Sequence, residues 1–361
     1  MTTGSMDAID SFKLAMEAVY GPLDNLTVED AEEWTPPASP GAGGHRGRYL
    51  WTDAFGVINF LTLYKETSMV RYLNLAARLV YSVHDILGRT RDGSHRLPGA
   101  TEDAPLTGGL RIGKVAGLGA DCDGQYHHYL TIWMFALNRM SVATGEPKFN
   151  NWAMELGKAI HPHFIVPDVG GNKRMVWKIS TDMDEVLVPS EGHLDAATGF
   201  AVYRLLQQTA DLYGKGDELS LRAEIGDYSA IMMRPGKLAP TSDFLDLGMG
   251  LWMCQFCLDE PWADKFVETS LRMLRDRLEH SRGSLLQRYK RLAFREFGAY
   301  LGVRCIGADK ELQDKVETLI KSWDVSGGHI DEELKPISHV THASALIPGG
   351  EFYHVYYLHS F

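Results

Sequence analysis

The acidic, imidazole and aromatic residues of this chain gather at the beginnings of its apolar segments. Asp53 follows Trp51 and Thr52. Asp123, Gln125, Tyr126, His127 and His128 fall together, as do Glu191, His193 and Asp195. Asp243 and Asp246 open a fourth segment, Arg295 and Glu296 a fifth, His339 and His342 a sixth. Carboxylates and imidazoles move protons near neutral pH. Aromatic rings stack on the apolar faces of polyhydroxylated ligands while polar groups read their hydroxyls. The chemistry this set suits is acid/base work on a sugar-like ligand. Asp123, Glu191, Asp53 and Asp195 are the candidate catalytic groups. Trp51, Arg111, Gln125, Tyr126, His128, Trp177, Lys178, His193, Arg295, Glu296 and His342 are the candidate substrate contacts.

Several of these residues have a purely structural alternative. Asp53 after Thr52 suits a helix cap, and Asp243 after Ser242 is expected to be a cap rather than a catalyst. Asp123-Gly-Gln125 reads as a turn with a cap. One of Glu191 and Asp195 should cap, and Asp195 can also lie one turn inside, facing a pocket. Neighbours on a helix point about 100° apart, so His127 and His128 cannot both face one ligand, and one of them should be packed. Arg295 and Glu296 suit a structural ion pair. His84, His161 and His163 fall in or after outer-helix patterns and take no role. No H-E-x-x-H spacing occurs, and neither a metal nor a cofactor is expected. Cys254-Gln-Phe-Cys257 lies in an apolar pattern without a second pair, which predicts two core cysteines on one helix face.

The elements that must hold these residues repeat. A polar start leads into an apolar helix; a short break with Gly, Pro or an acidic residue follows; then comes a more charged amphipathic helix. Apolar helices start near residues 52, 124, 193, 243, 291 and 340, separations of about 72, 69, 50, 48 and 49 residues. That is too long for tetratricopeptide-type repeats and fits large helical hairpins. Helical spacing predicts second helices over 70–87, 149–161, 218–233, 261–280 and 309–323. The sixth hairpin is the weakest: a helix opening at His339-Val-Thr-His342, an interruption at Pro348-Gly-Gly350, and a segment 352–361. An N-terminal helix over 8–20 is the natural partner to complete it. Long Gly- and Pro-containing loops, 89–122 and 164–190, carry Arg111, Lys114, Trp177, Lys178 and Asp182, which suits functional loops.

Tyr49-Leu-Trp-Thr-Asp53-Ala-Phe-Gly56, Gly108-Gly-Leu-Arg-Ile-Gly113, Asp123-Gly-Gln-Tyr-His-His-Tyr129, and Trp177-Lys-Ile-Ser-Thr-Asp182 running to Val188-Pro-Ser-Glu-Gly-His193 resemble a microbial and fungal branch of the six-hairpin glycosidase-like superfamily. The resemblance covers roughly residues 45–360. It implies an all-α (α/α)6 toroid whose inner helices line a cavity, with the loops at their N-termini around the open end. That superfamily holds hydrolases, lyases and sugar epimerases, so the fold leaves the reaction open. One domain over 1–361 is expected, with 1–48 an N-terminal helix and a Pro/Gly-rich connector.

Composition narrows the partners. The 361 residues include 36 Lys and Arg against 47 Asp and Glu, for a net charge of −11, with 45% hydrophobic residues. An acidic chain without basic runs argues against nucleic acid and anionic membranes. The start shows neither a basic nor an apolar signal region, and four scattered cysteines suggest a reducing compartment, so a cytoplasmic protein is expected. The first expectation is a glycoside hydrolase acting on an oligosaccharide or glycosylated metabolite, with Asp123 and Glu191 as its acid and base. The alternatives are a sugar isomerase or epimerase using His128 with His193 or His342, and a tailoring enzyme or binding module for an apolar metabolite. The Met-rich inner helices suit the last but suit a plain core equally.

Overall fold

A computed structural model describes residues 8–38, 49–119, 121–214, 216, 219–281, 291–325 and 330–349. The proposed second half of the sixth hairpin, 352–361, lies outside them, as do residues 1–7 and most of the Pro/Gly connector. The helices in chain order are α1 (Ala8–Tyr20), α2 (Val28–Glu33), α3 (Leu50–Thr67), α4 (Val70–Leu87), α5 (His127–Thr144), α6 (Pro147–Phe164), α7 (Asp195–Leu212), α8 (Arg222–Met232), α9 (Phe244–Cys254), α10 (Pro261–Ser281), α11 (Ala293–Cys305), α12 (Lys310–Val325) and α13 (Lys335–Leu346). None of the described helices is long and apolar enough to cross a membrane.

Contacts divide the chain into two compact units. One comprises 24–237 and 349–361 and holds three hairpins: α3 with α4, α5 with α6, and α7 with α8. The first helices of these hairpins also pack on one another, α3 on α5 and α5 on α7. Their sequences explain that position. From Thr52 to Leu63 every residue of α3 is buried, and α5 is buried without interruption from Leu130 to Ser141. A helix that is apolar all round is a helix with neighbours all round. The second helices are amphipathic: α4 buries Tyr72, Leu75, Ala76, Leu79, Val80 and Val83, a stripe at helical spacing. Its limits match the predicted 70–87, and α1 matches the predicted 8–20.

The other unit comprises 1–23 and 238–348. Here α9 packs on α10 and α11, α11 on α12 and α13, and α13 on α1, the partner expected for the sixth hairpin. The α9–α11 crossing is close because it is lined by glycine. A Cβ at Gly248 would come within 2.1 Å of the Gly298 carbonyl oxygen, and one at Gly302 within 2.1 Å of the Gly248 carbonyl oxygen.

The helix ends correct three expectations. His339 and His342 lie in the middle of α13, because Pro336 at its first turn starts the helix earlier, at Lys335. Cys254 is the last residue of α9, and Cys257 lies beyond it in a tight turn, its N–H donating to the Cys254 carbonyl at 3.0 Å. Both are buried thiols, but they share no helix face. Asp53 is not a cap: the N-cap of α3 is Tyr49, and Asp53 lies wholly buried in the first turn. Asp243, by contrast, caps α9, accepting from the N–H groups of Leu245 (2.9 Å) and Asp246 (3.3 Å).

The second long loop carries short strands, while 89–119 is a chain of turns and bends with one bridge, Arg89 to Arg96. Gln125–Tyr126 (β1), Lys178–Ile179 (β4) and Val186–Val188 (β5) form a three-stranded antiparallel sheet, and Ile165–Pro167 (β2) pairs with Lys173–Met175 (β3). Tyr126 stands opposite Lys178, which fastens the entrance of α5 to the loop carrying Trp177.

Candidate functional site

Asp123 and Arg111, two residues with chemical potential, hold the loops together. Arg111 donates to Asp123 at 2.6 Å, and both side chains are almost wholly buried. The other Asp123 oxygen accepts from the N–H groups of Gly113 (3.1 Å) and Lys114 (3.2 Å). Arg111 also donates to the carbonyls of Arg89 (2.7 Å) and Ile86 (3.0 Å). Gln125 is likewise enclosed, donating to the Gly108 (2.9 Å) and Thr181 (2.8 Å) carbonyls and accepting from Leu110 N–H (3.2 Å). Lys178 donates from a buried position to the Cys122 carbonyl at 2.8 Å. These four residues, expected around a ligand, therefore form the frame of the loop.

His128 and Asp195 are placed differently. Asp195 is the first residue of α7, where the helix dipole and unpaired N–H groups favour a carboxylate. Its Oδ1 lies 3.5 Å from His128 Nδ1 and 4.0 Å from His127 Nδ1. The turn leading into α7 passes so close that a Cβ at Gly192 would meet Asp195 Oδ2 at 1.7 Å, so a side chain there would displace the carboxylate. Burial alone would raise the Asp195 pKa; the neighbouring histidines, His128 first and then His127 and His193, together outweigh it and hold the carboxyl below its ordinary value. The His128 side chain is one-third exposed, and its Nε2 has no protein partner among the described residues. Around its ring stand Tyr129 at 5.0 Å between centroids, Tyr126 at 5.5 Å, Trp51 at 5.7 Å and Trp177 at 6.2 Å. Two ammonium groups flank the Tyr126 ring, Lys114 at 5.5 Å and Lys178 at 5.3 Å from its centroid. The Trp177 indole donates to Ser190 at 3.1 Å, which fixes the ring against the loop before α7.

The adjacent histidines do divide as the helical geometry requires. His127 is wholly buried, with Nε2 2.7 Å from the Tyr228 hydroxyl and Nδ1 without a hydrogen-bond partner. Burial lowers its pKa to about 3, so the ring is neutral at working pH. Burial also pushes the Tyr228 hydroxyl well above the usual tyrosine range, so it keeps its proton. An ionised Asp195 favours the tautomer with its N–H on Nδ1, toward the carboxylate; Tyr228 then donates to Nε2. Two other histidines left aside on sequence grounds are also enclosed: His84 accepts from the Trp133 indole at 3.2 Å, and His161 meets Asp227 at 3.1 Å.

The remaining candidates are spread. His193 is exposed, and its charge acts on Asp195. Glu191, partly exposed, pairs with Lys237. In the other unit, Arg295 donates to the capping Asp243 at 2.5 Å, and Glu296 accepts from Arg291 at 2.7 Å and from the Trp323 indole at 2.8 Å. Arg295 and Glu296 thus each have a partner other than the other, which corrects the expected pair between them. His342 stacks on Phe297, centroids 4.6 Å apart. Met134, Met140 and Met253 are core residues. Burial pushes the Cys254 thiol far up, away from nucleophilic use. Among the described residues no three of His, Cys, Asp or Glu converge to hold a metal ion. Sequence reasoning placed Tyr129 among the aromatics beside the pocket but missed Tyr228, which, about a hundred residues from His127, carried no local signal.

No family model matches this chain, and no curated protein does. Two solved structures are similar to it. A sugar epimerase from a ruminal bacterium shares 13% identity over 76% of this chain and 75% of its own, with a TM-score of 0.48. The cellobiose 2-epimerase of Spirochaeta thermophila DSM 6192 shares 12% identity over 96% of this chain and 99% of its own, with a TM-score of 0.53. The near-complete overlap with the latter shows the fold alone: the chain has the all-α, (α/α)6 architecture that its sequence implied.

Proposed function

We propose that this protein is a sugar isomerase or epimerase in which His128, oriented by Asp195, moves a proton at the carbon beside a sugar carbonyl. The observation that carries the reading is the His128–Asp195 pair: one imidazole nitrogen 3.5 Å from a buried carboxylate, the other without a protein partner, within a group of four aromatic rings. A base needs an oriented ring and a free nitrogen, and imidazole titrates near working pH. Nε2 takes the proton from the carbon; the C–H electron pair becomes the C=C bond of an enediolate, whose charge rests on the former carbonyl oxygen. Return of a proton to the opposite face of that carbon inverts it, with no net oxidation. His193, electrostatically coupled to Asp195, is the proposed donor for that face. The rings of Trp51, Tyr126 and Trp177 hold the sugar's apolar face, and Glu191 remains a candidate contact at the start of α7.

The fold shared with a cellobiose 2-epimerase supports this reading over hydrolysis. Hydrolysis through Asp123 has less support, since that carboxylate is committed to Arg111 and two backbone N–H groups. The test is incubation with a panel of reducing aldoses and disaccharides in deuterium oxide. Deuterium should enter at the carbon next to the carbonyl at the rate of product formation. His128→Ala should lower the rate about 10²–10⁴-fold. Clear turnover without deuterium at carbon would remove the proposal, and release of a second sugar from a glycoside would restore hydrolysis.

A further inference from the structure

A cavity of about 560 Å³ lies in the same unit as His128 and shares no residue with the group around that ring. Its walls come from the segment after α2, from α4 and α6, and from the loop that follows α4. Trp34, Tyr81 and Trp152 provide aromatic surface, and His84 lies at its inner wall. Tyr81 is 41% exposed and meets Trp152 edge-on, centroids 6.0 Å apart; His84 meets the same indole at 5.2 Å. The size falls within the range of about 300–1,000 Å³ that holds small ligands.

Two features say what such a ligand would be. First, the tautomer of His84 is fixed. The Trp133 indole N–H donates to Nε2 at 3.2 Å, so the neutral ring carries its proton on Nδ1. Burial, and then Arg96, keep this ring neutral, with a pKa of about 3. The Nδ1–H has no protein partner among the described residues, although the residue is only 5% exposed. An oriented donor that opens on a cavity is a site for an acceptor oxygen. Second, the wall offers further donors. Arg96 holds Glu102 through two bonds, 3.1 and 3.0 Å, and Asp85 holds Arg89 at 3.1 Å, but Arg78 has only the Trp34 carbonyl among the described residues, to which its Nε–H donates at 2.9 Å. Arg78 is a planar fork of donors at the cavity wall. Aromatic surface beside oriented N–H donors suits an oxygen-rich ring.

We propose that this cavity is a second, non-catalytic saccharide site, in which a sugar ring stacks on the Tyr81–Trp152 surface and accepts a hydrogen bond from His84 Nδ1. It stands apart from the isomerase reading. The test follows histidine ring nitrogens by nuclear magnetic resonance during titration with methyl β-cellobioside, which has no free carbonyl to react. The His84 Nδ1 resonance should move on titration, and should still move in His128→Ala, which removes the other site's imidazole. Tyr81→Ala changes a surface-exposed ring and should weaken the binding about tenfold. Cyclohexanol, as an apolar ring without a set of hydroxyls, should leave His84 unmoved. An unperturbed His84, an unweakened Tyr81→Ala, loss of the shift in His128→Ala, or equal binding of cyclohexanol would each overturn the proposal.

Discussion

Arg111–Asp123 and His128–Asp195 are both pairings of a basic side chain with a carboxylate beside the entrance of α5, yet they are built for opposite ends. In the first, both partners are enclosed and the carboxylate accepts from the guanidinium and two backbone N–H groups. In the second, the carboxylate is enclosed but the imidazole is one-third exposed and keeps a nitrogen without a protein partner. Residue type does not separate them; remaining hydrogen-bond capacity does. A group whose acceptors and donors are all taken holds the fold, and a group oriented at one end and open at the other is available for chemistry.

The sharpest way to break that contrast is to open the closed pair. Arg111→Ala leaves Asp123 buried without its cation, and removing one partner of a buried pair costs about 3–5 kcal/mol. Denaturant unfolding should show a loss of that size. A loss below about 1 kcal/mol would mean that the loop frame does not depend on the pair. The open pair should respond in the other way. Asp195→Asn should lower turnover about a hundredfold, in kcat rather than in KM. A fall of less than about tenfold would make Asp195 structural, like Asp123.

Acid should act on the enclosed histidines. His127 and His84 have folded pKa values of about 3, set chiefly by burial, below the unfolded value of 6.5. Between those values the unfolded chain binds more protons than the folded one. Their contribution is complete above the unfolded pKa and is lost as pH falls. Each should remove about 2 kcal/mol of stability between pH 6.5 and 5. Urea unfolding at the two pH values measures the sum. A flat response would place both rings in contact with water.

Much of the scaffold was legible because periodicity and burial are the same physics. The all-round apolar sequence of α3 and α5 and the striped sequence of α4 declared which helix is enclosed and which is half exposed, and Ser68 and Gly145 end α3 and α5 in left-handed caps where breaks were expected. The loops were only half legible. Their composition marked them as more than linkers, but the pairing of Tyr126 with Lys178 depends on a strand some fifty residues away. The same non-locality hid the roles of the carboxylates. Nothing near Asp123 in sequence says that Arg111 will fill it, and nothing near Asp195 says that His128 will face it. The His-His step at α5 was the exception: helical geometry alone required one ring to be packed and one to be open.

That step yields the smallest and most specific expectation. Behind the open pair, Tyr228 decides which nitrogen of His127 carries the proton. The neighbouring Tyr203 hydroxyl donates to the Gly157 carbonyl at 3.0 Å, so its proton is not directed at Tyr228. With Asp195 ionised, the Tyr228 proton goes to His127 Nε2 and the His127 N–H turns to the carboxylate, which it stabilises across 4.0 Å. Tyr228→Phe keeps the ring's shape and removes one hydrogen bond, a loss of about 1 kcal/mol in stability. It also frees His127 to take the other tautomer, with its lone pair toward Asp195. Nitrogen-15 spectra of the free protein read the tautomer directly, Nδ1–H in the wild type and a mixture of the two in Tyr228→Phe. A wild-type His127 protonated on Nε2 would reverse the assignment and make Tyr228 an acceptor, leaving Asp195 oriented by His128 and the helix start alone.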